Sequence, residues 1–240
     1  MCGRFTQTAT AETIAEQFHL DEPPLFKARY NISPSQRVAA IRITPESAKR
    51  ACAMLRWGLI PSWATDPKIG DQCINAKAET VAEKPSFRAA FKQRRCLVLA
   101  DGFYEWQRQG KRKQPMWIGL KNKRPFAFAG LWEQWTPAEG APLETCTIIT
   151  TEPNELMAPI HNRMPVILSP SCYDPWLDPG FQDVASLTSF LYPYPSEELT
   201  AYPVSTLVNN PRNELSQCLE PLAGEDYTTV LPQLDREAPL

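Results

Sequence analysis

"RCLVLADGFYEWQR", residues 95–108, is the part of this chain from which the fold class is most easily inferred. It contains two short runs of apolar and aromatic residues, 95–100 and 103–108, separated by the turn residues Asp101 and Gly102. Runs of this length and composition are typical of β-strands. The basic segment "RQGKRK" (108–113) comes next and predicts the tip of a hairpin, whose returning strand is "QPMWIGL" (114–120).

Further strands and a few helices are predicted on both sides of this stretch. The other two strands are "FAFAGLW" (126–132) and "TCTIITT" (145–151). The three helices are "TAETIAEQFHL" (10–20), "PSFRAAFKQ" (85–93) with Ser86 as its N-cap, and "DVASLTSFL" (183–191). Successive strands with inserted helices predict an α+β fold: a single domain with curved, mainly antiparallel, barrel-like sheets and a few flanking helices.

The length of 240 residues fits one large domain, which we place at residues 1–223. Residues 224–240 are acidic and interrupted by prolines, and they are predicted to form a C-terminal tail. No apolar run reaches the length of a membrane span, and the first residues do not resemble a signal peptide. We therefore expect a monomeric cytoplasmic protein, associated with the nucleoid in a bacterium or nuclear in a eukaryote.

The seven cysteines are scattered, and no two of them form a C-x-x-C pair. Zinc-site spacing is therefore absent, and an odd number of cysteines does not fit a secreted disulfide framework. We expect a reducing compartment and no metal or organic cofactor. Most of the cysteines are predicted to be small buried apolar residues, with Cys2 as the exception because of its position.

Charge is segregated along the chain, although the net charge is only −2. Residues 88–124 contain eleven Lys and Arg against two acids, whereas residues 133–240 contain sixteen acids against three arginines. Such segregation is compatible with a basic face that binds a polyanion, and equally with a solvated basic hairpin that has no partner.

The first five residues, "MCGRF", contain a reactive group if Met1 is removed. Cys2 would then carry an α-amine, whose pKa of about 7.7–8.0 leaves part of it neutral and nucleophilic at physiological pH. The amine attacks aldehydes to give imines, and the thiol can then close a thiazolidine ring. Alternatively, the thiolate could attack a carbonyl with its own amine as base. A third possibility is a small residue tolerated near the chain end.

Arg4 places a permanent planar cation near this terminus, suited to phosphate or to a structural salt bridge.

Seven stretches, taken together and in order, resemble the SRAP family of SOS response-associated peptidase-like proteins. They are "MCGRF" (1–5), "RYNISPSQ" (29–36), "RWGLIPSW" (56–63), "CINAKAET" (73–80), "ADGFYEW" (100–106), "IHNRMPVIL" (160–168) and "YPVSTLVNNPRNE" (202–214). The resemblance implies a single α+β domain around a DNA-binding channel, which crosslinks itself to abasic sites in single-stranded DNA.

The resemblance also implies roles for four residues of this chain. Cys2 would be the nucleophile that forms a thiazolidine with the ring-opened sugar. Asn75 would hold the terminus and the sugar by hydrogen bonds. Glu105 would be the general acid and base, and His161 would assist sugar ring opening. The chemistry itself requires a proton donor near neutral pH, which a carboxylic acid of raised pKa or a histidine can supply.

Five further residues are candidates for DNA contact. Arg4, Lys77 and Arg163 would meet phosphates, and Trp63 and Trp106 would stack on bases beside the lesion, with core packing as the alternative for both tryptophans. Lys77 departs from the family pattern, which commonly has arginine at this position. Lysine keeps the positive charge but cannot form the two parallel hydrogen bonds that a guanidinium makes with a phosphate.

Two other functions stay open at this point. "MCG" also begins N-terminal-nucleophile amidohydrolases, and a peptidase activity that removes Met1 through Cys2, Glu105 and His161 is a narrower form of that hypothesis. The other is a non-catalytic single-strand binder with a structural terminus. The leading hypothesis remains a lyase-like enzyme that captures and shields abasic sites.

Overall fold

A computed structural model describes residues 2–44 and 48–222 of the chain. Within them the strands are β1 (Phe5–Gln7), β2 (Arg29–Ile32), β3 (Arg37–Ile43), β4 (Arg50–Trp57), β5 (Asn75–Lys77), β6 (Arg95–Ala100), β7 (Gly102–Gln109), β8 (Arg112–Leu120), β9 (Phe126–Trp135), β10 (Leu143–Thr151), β11 (Met164–Pro165) and β12 (Leu199–Pro203). The predicted tail, residues 224–240, lies outside the described residues, and the domain boundary at residue 223 stays a prediction.

The α-helices are short. They are α1 (Ala11–Phe18), α2 (Ile69–Gln72), α3 (Arg88–Gln93), α4 (Tyr173–Leu177) and α5 (Val184–Thr188). Single turns of 3-10 helix lie at Pro170–Cys172, Ser196–Glu198, Thr206–Asn209 and Ser216–Cys218. Among the described residues, no helix is long and apolar enough to span a bilayer.

One sheet is antiparallel and has the strand order β12-β8-β7-β1-β2. The predicted hairpin is confirmed: β7 and β8 pair in register from Gly102–Gly119 to Gln109–Arg112, with Gly110 at the tip. Gly110 has a φ of 61°, in the left-handed region that glycine adopts without strain. This sheet joins the N-terminal strand β1 directly to β7, the strand that contains Glu105.

The second sheet closes on itself. Its strands follow the order β10-β4-β3-β6-β9, and β9 pairs back with β10, so that five strands form a closed ring. The β4–β10 pairing is parallel while the other pairings of the ring are antiparallel. β5 and β11 attach to β10 outside the ring. The predicted α+β class with mainly antiparallel, barrel-like sheets is confirmed.

Both faces of β6 are buried, which explains why this strand is apolar at nearly every position. Leu97 and Leu99 face the cluster that also contains the helices α1, α3 and α4. Val98 and Ala100 face the other way, into a second cluster that they share with Phe5 of the antiparallel sheet. The two sheets therefore share one core, and the residues just before β1 are packed into it.

Two predicted helix details are corrected. The helix predicted at 85–93 begins only at Arg88, and Phe87 rather than Ser86 occupies the N-cap position. Ser86 cannot cap it because it lies one residue before the N-cap position. The helix predicted at 183–191 is shorter, with Asp183 accepting a hydrogen bond from the Ser186 N–H as its N-cap.

All seven cysteines lie in the described part of the chain and are free thiols. Cys73, Cys96, Cys146 and Cys218 are buried as predicted, while Cys52 and Cys172 are half-buried. Cys2 is also buried, so its position at the chain start does not expose it to solvent.

Candidate active site

The residues that lead into β1 are anchored inside the protein. Phe5, the first residue of β1, is buried with its ring 5.2 Å from the ring of Trp57 and 5.7 Å from that of Phe128. Strand β1 pairs with β2 on one side and with β7 on the other. Cys2 belongs to the same buried cluster as Phe5. The reactive residue predicted from the sequence is therefore held by the core of the domain.

Asn75 holds the backbone of Cys2. Its Nδ2 donates a hydrogen bond to the Cys2 carbonyl oxygen at 2.8 Å. Asn75 begins β5, whose parallel pairing with β10 fixes its position. Its Oδ1 is buried and has no hydrogen-bond donor among the described residues. Asn75 thus uses its donor on the terminus and retains a buried acceptor beside it.

The Cys2 thiol is protonated at neutral pH. Burial raises the pKa of the thiol far above its ordinary value, and the negative charge of Glu105 raises the pKa further. The Sγ atom lies 4.0 Å from the Arg4 carbonyl oxygen, a weak contact that lowers the pKa only slightly. A group in this state reacts as a thiol that must give up its proton during the reaction, because the thiolate is not available beforehand.

Glu105 lies on β7 and is almost completely buried. Burial raises the pKa of its carboxyl group from 4.5 to about 7. At that pKa, both the protonated and the ionised forms are populated at physiological pH. A carboxyl group of this kind can donate a proton in one step and accept a proton in the next.

His161 lies beside Glu105 at the open side of this group of residues. Its Nε2 is 4.0 Å from Glu105 Oε2, and about a third of the side chain is exposed to solvent (29%). Nδ1 faces the backbone of Arg163, whose N–H lies at 3.1 Å. Burial lowers the pKa of the imidazole, which is therefore neutral near pH 7. His161 is thus placed to exchange a proton with Glu105 and with an incoming molecule.

The structure brings the four predicted catalytic residues together from four separate segments of the chain. Asn75 bonds the Cys2 carbonyl, the Glu105 charge acts on the Cys2 thiol, and Glu105 faces His161. In the described part of the chain no three His, Cys, Asp or Glu side chains form a metal-binding cluster. The roles given to the four residues stay predictions.

Arg4 is held in place by neutral groups. Its Nη1 donates to Asn31 Oδ1 and to the Val208 carbonyl oxygen, both at 2.7 Å. Its guanidinium stands over the ring of Trp106, 5.8 Å from the ring centre. Neither hydrogen-bond acceptor is a carboxylate, and burial lowers the pKa of the guanidinium. Arg4 is therefore a half-buried cation that no acid of the described residues neutralises.

Asn31 ties this cation to the C-terminal part of the domain. It is completely buried on β2, and besides accepting from Arg4 it donates through Nδ2 to the carbonyl oxygens of Asn210 and Asn213, at 3.0 and 2.8 Å. The 205–214 segment is thereby fixed against β2. Because the buried Asn31 side chain bonds Arg4 and two carbonyl oxygens at once, its removal breaks three hydrogen bonds at one position.

We expect Asn31→Ala to lower the free energy of unfolding by ~3 kcal/mol, since unsatisfied buried polar groups cost about 1–3 kcal/mol each. Urea denaturation followed by tryptophan fluorescence measures the change. Asn162→Ala is the matched control, because Asn162 is exposed and its side chain bonds no described residue, and it should stay within ~0.5 kcal/mol of wild type. Equal destabilisation in the two variants would contradict the network.

Arg163 and Lys77, both predicted to contact phosphate, differ in their surroundings. The Arg163 guanidinium forms a bidentate ion pair with Glu79, at 2.5 and 3.0 Å, and also donates to the Thr150 carbonyl oxygen at 2.6 Å. Glu79 neutralises this charge, so the geometry favours a structural ion pair at Arg163 over a phosphate contact. Lys77 is exposed on β5, two residues from Asn75, and its charge is available to a ligand.

The two tryptophans predicted to stack on bases also differ. Trp63 is 59% exposed, which is unusual for so large an apolar side chain and suits stacking. Trp106 packs against a small buried cluster that includes Tyr104 and Val208, and its Nε1 donates to Asn209 Oδ1 at 2.7 Å. Trp106 therefore has a packing role whether or not it also meets a base.

Comparison with known proteins identifies the family. The profile of the SOS response associated peptidase (SRAP) family matches residues 1–211. This chain is a member of the SRAP family. It is 49% identical over 224 residues to the abasic site processing protein YoqW of Bacillus subtilis, a match that covers 92% of this chain and 99% of YoqW.

Two more distant proteins are also similar to this SRAP chain. The abasic site processing protein HMCES of Xenopus tropicalis is 35% identical over 223 residues, which cover 81% of this chain and 66% of HMCES. A crystal structure of a protein from Bacteroides thetaiotaomicron superimposes with a TM-score of 0.81 at 28% identity, covering 92% of this chain and all of that one. The fold is therefore shared with proteins of low sequence identity.

Sequence reasoning missed three residues that organise this SRAP site. Asn31 holds Arg4, Glu79 pairs with Arg163, and Gln107 donates from Nε2 to the Pro159 carbonyl oxygen at 3.2 Å, just before His161. Asn31 and Glu79 lie inside motifs that had been recognised, yet no role was assigned to them. The only local sign of such a role is a polar residue within a strand, as at Asn31, because a polar side chain buried there needs hydrogen-bond partners.

Proposed function

We propose that this protein captures abasic sites in single-stranded DNA, as a monomer, through a thiazolidine between Cys2 and the ring-opened sugar. The observation that carries the proposal is the contact group around Cys2: a carbonyl held by Asn75 and a thiol beside a carboxyl group whose pKa is about 7. The relatives named abasic site processing proteins support it. Removal of Met1 is part of the proposal, because the reaction needs the α-amine of Cys2.

The first step joins the Cys2 amine to C1′ of the sugar aldehyde. The nitrogen lone pair attacks the carbonyl carbon, and the resulting carbinolamine loses its hydroxyl group as water after receiving a proton. Glu105 in its protonated form donates that proton, with His161 exchanging protons at the open side of the site. Asn75 Oδ1, a buried acceptor without a described donor, would accept from a sugar hydroxyl or from the amine.

The second step closes the ring. Loss of water leaves a protonated imine, because the nitrogen keeps its remaining hydrogen. The Cys2 sulfur attacks the imine carbon and its proton passes to the Glu105 carboxylate, so the whole reaction releases one water and Glu105 ends protonated, as it began. Closure within one residue has a high effective concentration, which stabilises an imine that would otherwise hydrolyse. The same proton transfers in reverse release the DNA. While the ring is closed, the sugar has no free aldehyde and is protected from strand scission.

Recognition would rest on the backbone and the aldehyde, since an abasic site offers no base to read. Arg4 supplies a positive charge next to the reactive residue that no described acid neutralises, and Lys77 is an exposed cation two residues from Asn75. A phosphate flanking the lesion would be the missing counter-ion of Arg4. The exposed ring of Trp63 would stack on a neighbouring base.

The amidohydrolase alternative fits this environment less well. A cysteine that attacks amides needs a thiolate, and such thiols have a lowered pKa near cations. Burial and the charge of Glu105 raise the pKa of the Cys2 thiol instead. An amine that reacts first and a thiol that reacts second require no thiolate in the resting protein.

The proposal predicts a covalent adduct with an abasic single strand that survives heat and detergent without borohydride. Gel electrophoresis of the purified protein with a labelled oligonucleotide measures the adduct, and mass spectrometry determines whether the chain starts at Cys2. An oligonucleotide with a tetrahydrofuran in place of the abasic sugar is the control, because it has no aldehyde and should give no adduct. Failure of the processed wild-type protein to form an adduct with the abasic strand would refute the proposal.

A further inference from the structure

The tip of the β7–β8 hairpin, residues 108–113, is strongly basic and extends from the strand that contains Glu105. Its four cations are Arg108, Lys111, Arg112 and Lys113, and the tip contains no acid. All six residues of the tip are exposed. We call this segment the cationic hairpin. None of the roles assigned above uses it.

The charges of the cationic hairpin are not compensated within the protein. Several other arginines of the described residues are paired with acids, as in Arg29–Glu214 at 2.8 Å and Arg42–Glu144 at 2.7 Å. Over residues 2–44 and 48–222, no ion pair or side-chain hydrogen bond involves the four cations of the hairpin. The protein therefore leaves its densest run of positive charge facing solvent.

The arrangement is also unfavourable for the hairpin itself. Arg108 and Lys113 are direct partners across the two strands. Like charges placed directly opposite each other in a sheet repel and destabilise the pairing. The hairpin thus retains a repulsion that neither packing nor an acid relieves, and a bound polyanion would relieve it.

The hairpin lies close to the proposed site, on the face of the sheet where the Arg4 guanidinium stands over Trp106. Arg108 is three residues from Glu105 along β7, about 10 Å at the usual rise of a strand. Because side chains alternate along a strand, Arg108 shares a face with Trp106, the ring beneath the Arg4 guanidinium. Arg4 and the Arg108–Lys113 pair therefore form two successive positive centres along one face of the sheet.

We propose that the cationic hairpin binds the phosphate backbone of the captured DNA strand, within a few nucleotides of the lesion. This inference rests on the proposed function, which makes DNA the ligand. The contacts are to phosphates and do not depend on base sequence. They hold the strand beside Cys2 before any covalent bond forms, and they increase the rate of association through electrostatic attraction.

Two triple variants of equal charge test the proposal. The first, Arg108→Gln, Lys111→Gln and Lys113→Gln, removes three charges from the hairpin. The control, Lys121→Gln, Lys123→Gln and Arg124→Gln, removes three charges from the exposed turn at the other end of β8. Fluorescence anisotropy with an undamaged 20-nucleotide strand between 50 and 300 mM NaCl gives the salt dependence of binding for each protein.

We expect the slope of log K against log [salt] to become less negative by about 2 in the hairpin variant, since each phosphate contact on a single strand contributes about 0.7. The control variant should keep the wild-type slope. The hairpin variant should also melt at the wild-type temperature or higher, because it loses the Arg108–Lys113 repulsion. Equal slopes in the two variants, or a lower melting temperature in the hairpin variant, would overturn the proposal.

Strand length locates the contact. On an abasic strand trimmed to one nucleotide on the side that reaches the hairpin, wild type and the hairpin variant should crosslink at the same sub-saturating rate, whereas on full-length strands wild type should be faster. If wild type still crosslinks faster than the hairpin variant whichever flank of the strand is trimmed, the assignment of the hairpin to one flank is overturned. Failure of the proposed function is a separate outcome, because it appears as the absence of any wild-type adduct. In that case the salt dependence of binding to undamaged DNA still tests whether the hairpin contacts phosphates.

Discussion

Cys2→Ala is expected to lose the reductant-independent adduct with abasic DNA, with the yield falling to the background of the gel. The variant retains an α-amine once Met1 is removed, so it can still form an imine. Without the thiol the imine is not closed into a ring, and it hydrolyses during denaturation. Borohydride should therefore recover an adduct in Cys2→Ala, and likewise in Cys2→Ser, whose hydroxyl group closes a weaker oxazolidine ring.

Cys52→Ala is the matched control for this experiment, because Cys52 is a half-buried free thiol outside the site. It should crosslink as well as wild type. Anisotropy with an undamaged strand should give the same affinity for Cys2→Ala and wild type, because the phosphate contacts do not involve the thiol. Reductant-free crosslinking by Cys2→Ala at the wild-type level would show that another group is the nucleophile.

Glu105→Gln is expected to slow adduct formation by about 10²–10⁴-fold, the usual contribution of a general acid and base. Glutamine fills the same space but can neither donate nor accept the proton at neutral pH. Single-turnover rates between pH 5 and 9 measure the effect. The wild-type rate should change near pH 7, the pKa of Glu105, and the variant should lack that change.

The same substitution is expected to stabilise the protein at neutral pH. The carboxyl group has a pKa of about 7 when folded and an ordinary value of 4.5, so the folded state binds more protons than the unfolded state between these values. Stability therefore falls as the pH rises from about 4.5 to 7, by up to ~3 kcal/mol, and the loss is complete above pH 7. Glu105→Gln removes this loss, and urea denaturation at pH 4 and pH 8 should reveal a gain at pH 8 alone.

Glu133→Gln is the control for the stability experiment. Glu133 is also buried, but it forms an ion pair with Arg94 at 2.6 Å. Removing that partner leaves a half-buried cation unpaired, so this variant should be destabilised at pH 8. If Glu105→Gln were no more stable than wild type at pH 8, the carboxyl group would not have the raised pKa on which its catalytic role depends.

Local patterns predicted the strands around residues 95–151 because their apolar and aromatic runs are unbroken. β3 and β4 were not predicted, since "RVAAIRI" and "RACAMLRW" are rich in alanine and arginine and show no clear alternation. Closure of the five-stranded ring also could not be predicted from a local sequence pattern. It depends on the parallel pairing of β4 with β10, in which Arg56 lies opposite Thr145, and no nearby sequence encodes that contact.

The candidate site was predictable to different degrees. The chemistry of Cys2 follows from its position in the sequence, whereas Asn75, Glu105 and His161 were chosen through the family resemblance. A glutamate in a strand is usually solvated, and Glu105 is buried only because distant segments cover it. The partners of Arg4 and Arg163 were missed for the same reason, since Asn31 and Glu79 lie 27 and 84 positions away in sequence.

Strand β1 lies inside its sheet, with β2 and β7 on either side, and has no free edge. A DNA strand joined to Cys2 would pull on a segment that is hydrogen-bonded to a neighbouring strand on each side. A motor protein moving along that DNA would have to shear two strand pairings at once to extract it. The lifetime of the tether under load would then follow the mechanical unfolding rate of the sheet, in addition to the chemistry of the thiazolidine.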